Sequence, residues 1–263
     1  MTATVVREPQ PKQLPFVASD ADIALYGGDA GSGKTWAMVV DPLRYIHLPE
    51  FGGVMFRRTF PEIDAAGALR DETRIVYHPA GARLSRTRWT FPSGATVSMS
   101  HLQRESDMDS WRGAQLSWIG FDQLETFTSA QFWFLVTRLR TQAAMDPCIR
   151  GTLNAEPGWV ADLLAWWWNP KTGLPILERA GRRRWLKKRG DTIEWSDRRE
   201  GDGWLSLEYY PAGLEDNLYV DAAQYEAWVN SASDVVRERL TNSNFLVSER
   251  RGKVRVRRIG VYT

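Results

Sequence analysis

The sequence predicts an α/β fold with a central, mostly parallel sheet, flanking helices and a small lid subdomain after residue 170. Three observations lead there. A short apolar segment, "DIALYGG" (22–28), runs through the glycine-rich "DAGSG" into a helical stretch over 34–44. A nearly unbroken apolar run, "QLSWIGFD" (115–122), ends in an acid and reads as a central strand covered on both faces. The segments around these two read in turn as strand and helix.

Residues 1–20 are Pro-rich and polar and read as an entry arm. The helix over 34–44 meets Pro42. "GGVMFRR" (52–58) is a second strand, ended by the "TFPEI" turn. Residues 62–76 look helical, with Ala65, Leu69 and Ile75 as apolar marks. "RWTFPSGATVSMSH" (88–101) reads as a hairpin turning at Pro-Ser-Gly. A helix over 129–140 has Ser129 as its cap. "CIRGTLN" (148–154) is a strand, and 159–168 a helix stopped before Asn169-Pro170.

Beyond residue 170 the texture changes to Gly/Pro punctuation, a basic strand, the acidic loop "DRREGDG", the strand "WLSLEYYPA" (204–212) and two helical stretches near 221–231 and 233–241. The expected division is a core over 1–170 and a lid or linker over 171–263.

Hydrophobic residues are 43% and charged residues 25% of the 263, an ordinary globular composition. The single cysteine, Cys148, rules out a disulfide within the chain and fits a reducing compartment. No apolar stretch is long enough to span a bilayer. The net charge of +2 is unevenly spread: "RAGRRRWLKKR" (179–189) and "RRGKVRVRR" (250–258) are cationic throughout. Such runs are either a solvated face or a contact for a polyanion. Trp166, Trp167 and Trp168 cannot all face one way on a helix, so one should meet a neighbour or partner.

Gly28-Asp29-Ala30-Gly31-Ser32-Gly33-Lys34-Thr35 fits G-x-x-x-x-G-K-[ST], with a strand before it and a helix after. Small residues let successive N–H groups wrap phosphate oxygens, Lys34 reaches the β- and γ-phosphates, and the Thr35 hydroxyl ligates Mg²⁺. Asp122 supplies the acid that anchors Mg²⁺ from a neighbouring strand. Arg112, followed by Gly113, sits on a tight turn suited to reaching a neighbouring subunit's γ-phosphate, although a surface arginine in a turn is commonly no more than that.

These residues resemble the ATPase part of the large terminase subunit of tailed bacteriophages. The resemblance spans roughly 13–247 and rests on "YGGDAGSGKT", "VMFRRTFPE", "WRGAQLSWIGFDQLETFTSAQF", "TLNAEP", "YYPAGLEDN" and "YEAWVNSASDVVRERL" in that order. It implies a P-loop NTPase of the type with an added catalytic-Glu strand, plus a small lid. It implies ATP with Mg²⁺, a ring of five subunits on a portal, sequence-independent double-stranded DNA as track, a small terminase partner, and the host cytoplasm. By the same resemblance Arg112 acts in trans, Arg58 faces the nucleotide, Thr152 and Asn154 couple hydrolysis to movement, and Gln13 reads the adenine edge.

Two departures stand out. The family continues into a nuclease domain built on acidic metal ligands, and this sequence has no Asp or Glu after Glu249, so no nuclease activity is expected of it. At the family's catalytic Glu position stands Gln123, which can orient a water but cannot accept a proton. Three readings stay open: Glu125 reaches the water instead, positioning and the trans arginine drive slow hydrolysis, or the position is a Glu→Gln change that traps ATP. Strand alternation would aim Glu125 with Gln123 only if the strand ran past Asp122. The alternatives to a motor are a non-hydrolysing ATP-binding assembly module and another P-loop enzyme, a helicase or kinase. The chain is short for a helicase, and nothing specifies the acceptor pocket of a kinase.

Overall fold

The computed structural model describes residues 8–29, 31–213, 216–219, 243–247, 249–250 and 253–254. Ala30 and the helical stretches expected near 221–231 and 233–241 lie outside these residues, as does most of the 250–258 basic run.

Six parallel strands form the heart of one ten-stranded sheet: β1 (Ile23–Gly28), β2 (Gly52–Arg57), β5 (Thr96–His101), β6 (Trp118–Phe121), β7 (Cys148–Leu153) and β10 (Leu205–Ala212). Antiparallel strands extend both edges: β3 (Arg83–Ser85) and β4 (Arg88–Thr90) beside β5, and β8 (Arg184–Arg189) and β9 (Thr192–Ser196) beside β10. The order is β3-β4-β5-β2-β6-β7-β1-β10-β8-β9. β1, β6 and β7 are buried at every position, which is why their sequences are apolar runs rather than alternations. A short β11 (Glu249–Arg250) and β12 (Lys253–Val254) pair separately.

β7 inserts between the phosphate-loop strand β1 and the Asp122 strand β6. The texture change at residue 170 does not coincide with a break in the sheet: β10 lies parallel to β1 from Ile23↔Leu207 to Gly28↔Ala212. Its backbone hydrogen bonds complete the other side of the phosphate-loop strand.

Several helices are shorter than the sequence pattern suggested. α1 (Leu14–Ala18) orders the entry arm by burying Phe16. α2 (Lys34–Val40) gives way to a 3₁₀ turn over Asp41–Arg44, because Pro42 has no N–H for an α-helical bond. The stretch read as one helix over 62–76 is two, α3 (Phe60–Asp64) and α4 (Leu69–Tyr77), parted at Gly67. Ile75 faces solvent on α4, whose buried stripe is Leu69, Thr73 and Tyr77. α5 (Ser129–Val136) is capped by Thr128 rather than Ser129: the Thr128 hydroxyl accepts from Gln131 N, and Gln131 Oε1 accepts from Thr128 N. α6 (Trp159–Leu163) ends before the triple tryptophan. Trp167 and Trp168 are buried, and the half-buried Trp166 carries the Arg179 guanidinium 4.7 Å from its ring centre, so all three find partners within the chain.

A buried ion pair fixes the sheet to the entry arm. Asp41 and Arg150 are both fully buried, with Arg150 Nε 3.1 Å from Asp41 Oδ1. Arg150 also donates to the carbonyls of Ser19, Ala21 and Ile149, and Trp118 Nε1 donates to Asp41 Oδ2 at 2.7 Å. Every strong donor thus has a partner, the condition under which a buried charge is tolerable. Among the described residues no helix is long and apolar enough to cross a membrane.

Candidate functional site

The carboxyl ends of β1, β2, β6, β7 and β10 converge on one cleft of about 530 Å³, the edge at which open α/β sheets hold ligands. At the end of β1, a Cβ on Gly28 would stand 1.7 Å from the Ala212 carbonyl oxygen, so the close approach of β10 requires glycine. Gly33 has φ 75°, and a Cβ there would meet Gln13 Nε2 at 2.5 Å. The Lys34 ammonium folds back on the loop, donating to the carbonyls of Gly28 at 2.9 Å and Asp29 at 2.5 Å. Burial pushes it down to about 8, against the opposing pull of Glu125, Asp29 and Asp122.

Residues remote in sequence hold the loop's outer side. Gln13 Nε2 donates to Gly33 O at 3.1 Å while its Oε1 accepts from Gln10 N. Gln10 Nε2 donates to Asn217 Oδ1 at 2.8 Å, Asn217 donates to the Gly31 carbonyl, and Ser243 Oγ donates to Asp29 Oδ1 at 2.6 Å. Ser32 is buried beside them.

Asp122 is the junction of the inner side. Its carboxylate is buried and accepts from Thr35 Oγ1 at 3.0 Å and Thr152 Oγ1 at 2.6 Å, with Arg57 Nε 3.0 Å from Oδ2. A hydroxyl and a carboxylate at this separation form a hard-oxygen donor pair suited to Mg²⁺. Among the described residues no group of three or more His, Cys, Asp or Glu could hold a metal, so an ion here would complete its shell from water and phosphate oxygens, as Mg²⁺ does with nucleotides.

β6 does not run past Asp122, so alternation along a strand does not place Glu125. Gln123 adopts φ 60° and ψ 62°, a left-handed conformation uncommon for a non-glycine residue, and its N–H donates to Thr152 Oγ1 at 3.1 Å. A 3₁₀ turn over Leu124–Thr126 then carries Glu125 back under the site. Glu125 Oε1 accepts from Asn154 Nδ2 at 2.8 Å, while Oε2 is shut off from solvent with no hydrogen-bond partner. Burial pushes this carboxyl up to about 7, opposed by backbone hydrogen bonds, the Asn154 side chain and the positive charge of Lys34.

The cleft brings together Gln13, Gly31, Gly33, Lys34, Thr35, Asp122, Gln123, Thr152 and Asn154. It does not include Arg58, which corrects the sequence expectation: that guanidinium donates to the Leu102 carbonyl and to Gln131 Oε1, both at 2.8 Å. The preceding residue, Arg57, reaches Asp122 instead. Two adjacent arginines at a strand end point to opposite faces, and the residue types could not say which would reach Asp122. Arg112 lies outside the cleft. It ends the 3₁₀ turn Glu105–Trp111, its side chain is 74% exposed, and it pairs with Asp109 at 2.9 Å. Gln10, Trp36, Gly67, Glu72, Asn217 and Tyr219 were missed as lining residues. Asn217 closes the "YYPAGLEDN" block, and Gln10 precedes Gln13 by one helical turn, but neither spacing names a partner.

Three of the seven cations in the basic run 179–189 are paired with carboxylates within the chain. Arg183 pairs with Asp20 and Glu208, Arg184 with Asp197, and Arg189 with Glu194. Lys187 donates to the Asp202 carbonyl and Lys188 to that of Gly190. Arg179, Arg182, Lys187 and Lys188 have no carboxylate partner among the described residues.

Among known proteins, no curated sequence matches this chain. Solved structures do. The large terminase of a thermophilic bacteriophage superposes with TM-score 0.64 at 15% identity, over 92% of this chain and 54% of that one. The same phage protein in complex with ATP-gamma-S gives 0.62 at 14%, over 91% and 53%. The ATPase domain of the Thermus phage P74-26 large terminase gives 0.55 at 13%, over 92% and 96%. This chain thus spans about half the length of the first protein and nearly all of the Thermus phage domain. The likeness establishes the P-loop NTPase fold. A family profile described as "Terminase large subunit, T4likevirus-type, N-terminal" matches residues 25–242, and the chain belongs to the terminase large-subunit family.

Proposed function

We propose that this chain is the ATPase of a phage DNA-packaging motor, hydrolysing ATP with Mg²⁺ to drive double-stranded DNA into a procapsid. The observation that carries the reading is the placement of Glu125. Glu125 lies behind Gln123 and Asn154, which line the cleft. A carboxyl with one oxygen bonded to Asn154, the other unpartnered, and a protonation midpoint of about 7 suits a general base beside the phosphate-loop lysine once nucleotide binding opens it to the attacking water.

Lys34 leaves its loop carbonyls and binds the β- and γ-phosphate oxygens. Thr35 and Asp122 would hold Mg²⁺, which when bound neutralises charge on the phosphates. Gln123, displayed at the turn, orients the attacking water through its amide. Glu125 takes that water's proton as the oxygen attacks the γ-phosphorus and ADP leaves. Gln13, with Gln10 and Asn217, faces the base. Arg112, exposed and outside its own cleft, completes a neighbouring subunit's site in a ring. Thr152 and Asn154 bond to Asp122 and Glu125 from β7, so a change at the γ-phosphate moves that strand's end and α6 after it.

A non-hydrolysing, ATP-dependent assembly module is the second reading, and Gln123 is the observation that favours it, because an amide cannot take the proton. Steady-state phosphate release with Mg²⁺, with and without linear double-stranded DNA, separates the two. Turnover that Lys34→Ala and Glu125→Ala both abolish supports the motor. A silent chain restored by Gln123→Glu would establish a trapped ATP-binding form. Mixing inactive Lys34→Ala and Arg112→Ala chains should partly restore turnover; complete absence of rescue would remove Arg112 from its trans role.

A further inference from the structure

Between α5, α6 and β9 lies a pocket of about 310 Å³, outside the nucleotide cleft. Trp133, Trp159 and Trp195 line it, each half-buried, so part of every indole remains open. The exposed carboxylates of Asp162 and Asp191 stand at its rim. Among the described residues, neither is joined to a cation.

We propose that this pocket is a binding site for an arginine or lysine side chain presented by a basic segment of a partner polypeptide. Indole faces attract cations through their quadrupole more strongly than other aromatic rings. The indoles here already do so within the chain: the Arg184 guanidinium lies 5.3 Å from the Trp195 ring centre, and the Lys188 ammonium lies 5.6 Å from that of Trp133.

The charge balance selects the sign of the guest. Arg184 is paired with Asp197 and Arg189 with Glu194. Of the two cations set over these indoles, Lys188 has no carboxylate partner among the described residues, and its ammonium is bonded to the Gly190 carbonyl. Two carboxylates against that ammonium leave the rim net anionic. Such a rim repels nucleic-acid phosphate and attracts a cationic side chain. The volume admits one long side chain rather than a helix, and an Arg or Lys stem can lie along the indoles while its charge meets the acids.

The pocket is joined to the nucleotide cleft by sequence and by contact. α5 follows the turn carrying Gln123 and Glu125, α6 follows Asn154, and Trp159 Nε1 donates to the Phe127 carbonyl at 2.7 Å between them.

The test is an NMR titration of the tryptophan indole N–H signals, with Trp133, Trp159 and Trp195 assigned through their Trp→Phe variants. The probes are acetyl-arginine amide, an acetylated hexa-arginine peptide, a hexa-glutamate peptide and a short DNA duplex. The arginine probes should shift these three signals saturably, and the hexa-glutamate and duplex should not. Asp162→Asn combined with Asp191→Asn should weaken hexa-arginine binding at these signals about tenfold, and Trp195→Phe about threefold, with unchanged circular dichroism. ATP turnover should be unaffected by the double substitution. No shift from the arginine probes, equal affinity in the double variant, or equal shifts from hexa-glutamate or duplex would each overturn the assignment.

Discussion

Asn154 donates a 2.8 Å hydrogen bond to Oε1 of Glu125, tying the end of β7 to the turn that follows Asp122. The bond leaves the second carboxylate oxygen buried and unpartnered beside Lys34's field. A carboxyl in that state resists ionisation until near neutral pH, and this sets the pH behaviour of the site.

With Glu125 as base and the Lys34 ammonium needed for the phosphates, kcat/KM should rise with pH through about 7 and fall again above about 8. Glu125→Gln should remove the rising limb and lower turnover about 10²- to 10⁴-fold. Stability should move the opposite way. The folded pKa is raised from 4.5, so the neutral acid's contribution is full below pH 4.5 and lost as pH rises to about 7. Melting curves of the nucleotide-free chain at about pH 5 and about pH 8, compared with Glu125→Gln, check the sign; a larger loss in the variant would contradict it.

Arg57 and Arg58 should separate cleanly. Arg58→Ala removes two hydrogen bonds to the Leu102 carbonyl and Gln131, costing about 1–3 kcal/mol of stability while leaving ATP affinity within about twofold. Arg57→Ala frees Asp122 of a competing cation, so Mg²⁺ should bind the nucleotide complex more tightly. Denaturant unfolding and a Mg²⁺ titration of nucleotide binding distinguish them.

Removing one partner of the buried Asp41–Arg150 pair should be among the costliest single changes. Arg150→Ala leaves a fully buried carboxylate with only Trp118 Nε1 and, 3.4 Å away, the Arg44 guanidinium, with an expected loss of about 3–5 kcal/mol in urea unfolding. A loss under about 1 kcal/mol would mean that Arg44 or water takes the place of Arg150 at Asp41.

Capping offers a smaller check on the start of α5. Thr128→Ala should cost about 1 kcal/mol and Ser129→Ala only a few tenths, since the Thr128 hydroxyl accepts from Gln131 N.

For DNA, replacing Arg183, Arg184 and Arg189 with Gln should change the salt slope of duplex binding by well under one unit per residue, because each is already paired with a carboxylate. A slope change of nearly one per residue would instead mean that these pairs open onto phosphate.

The phosphate loop and the acid ending β6 were legible because their chemistry constrains contiguous residues. Gly28 and Gly33 have no room for a side chain, and the lysine and threonine must follow at once. The parallel sheet was legible for a related reason: strands covered on both faces must be apolar along their whole length. What depends on neighbours distant in sequence was not legible. Insertion of β7 beside β6 puts Thr152 on Asp122 and Asn154 on Glu125, contacts across about thirty residues that no local spacing encodes. A left-handed Gln123, rather than strand alternation, turns Glu125 toward Lys34. Packing likewise turned Arg57 rather than Arg58 onto Asp122, and supplied carboxylates to Arg184 and Arg189 of the basic edge strand. Local residue type governs which backbone and which chemistry a segment can have; which of its side chains meet is settled by the order in which strands pair, where contacts far apart in the chain outweigh local preference.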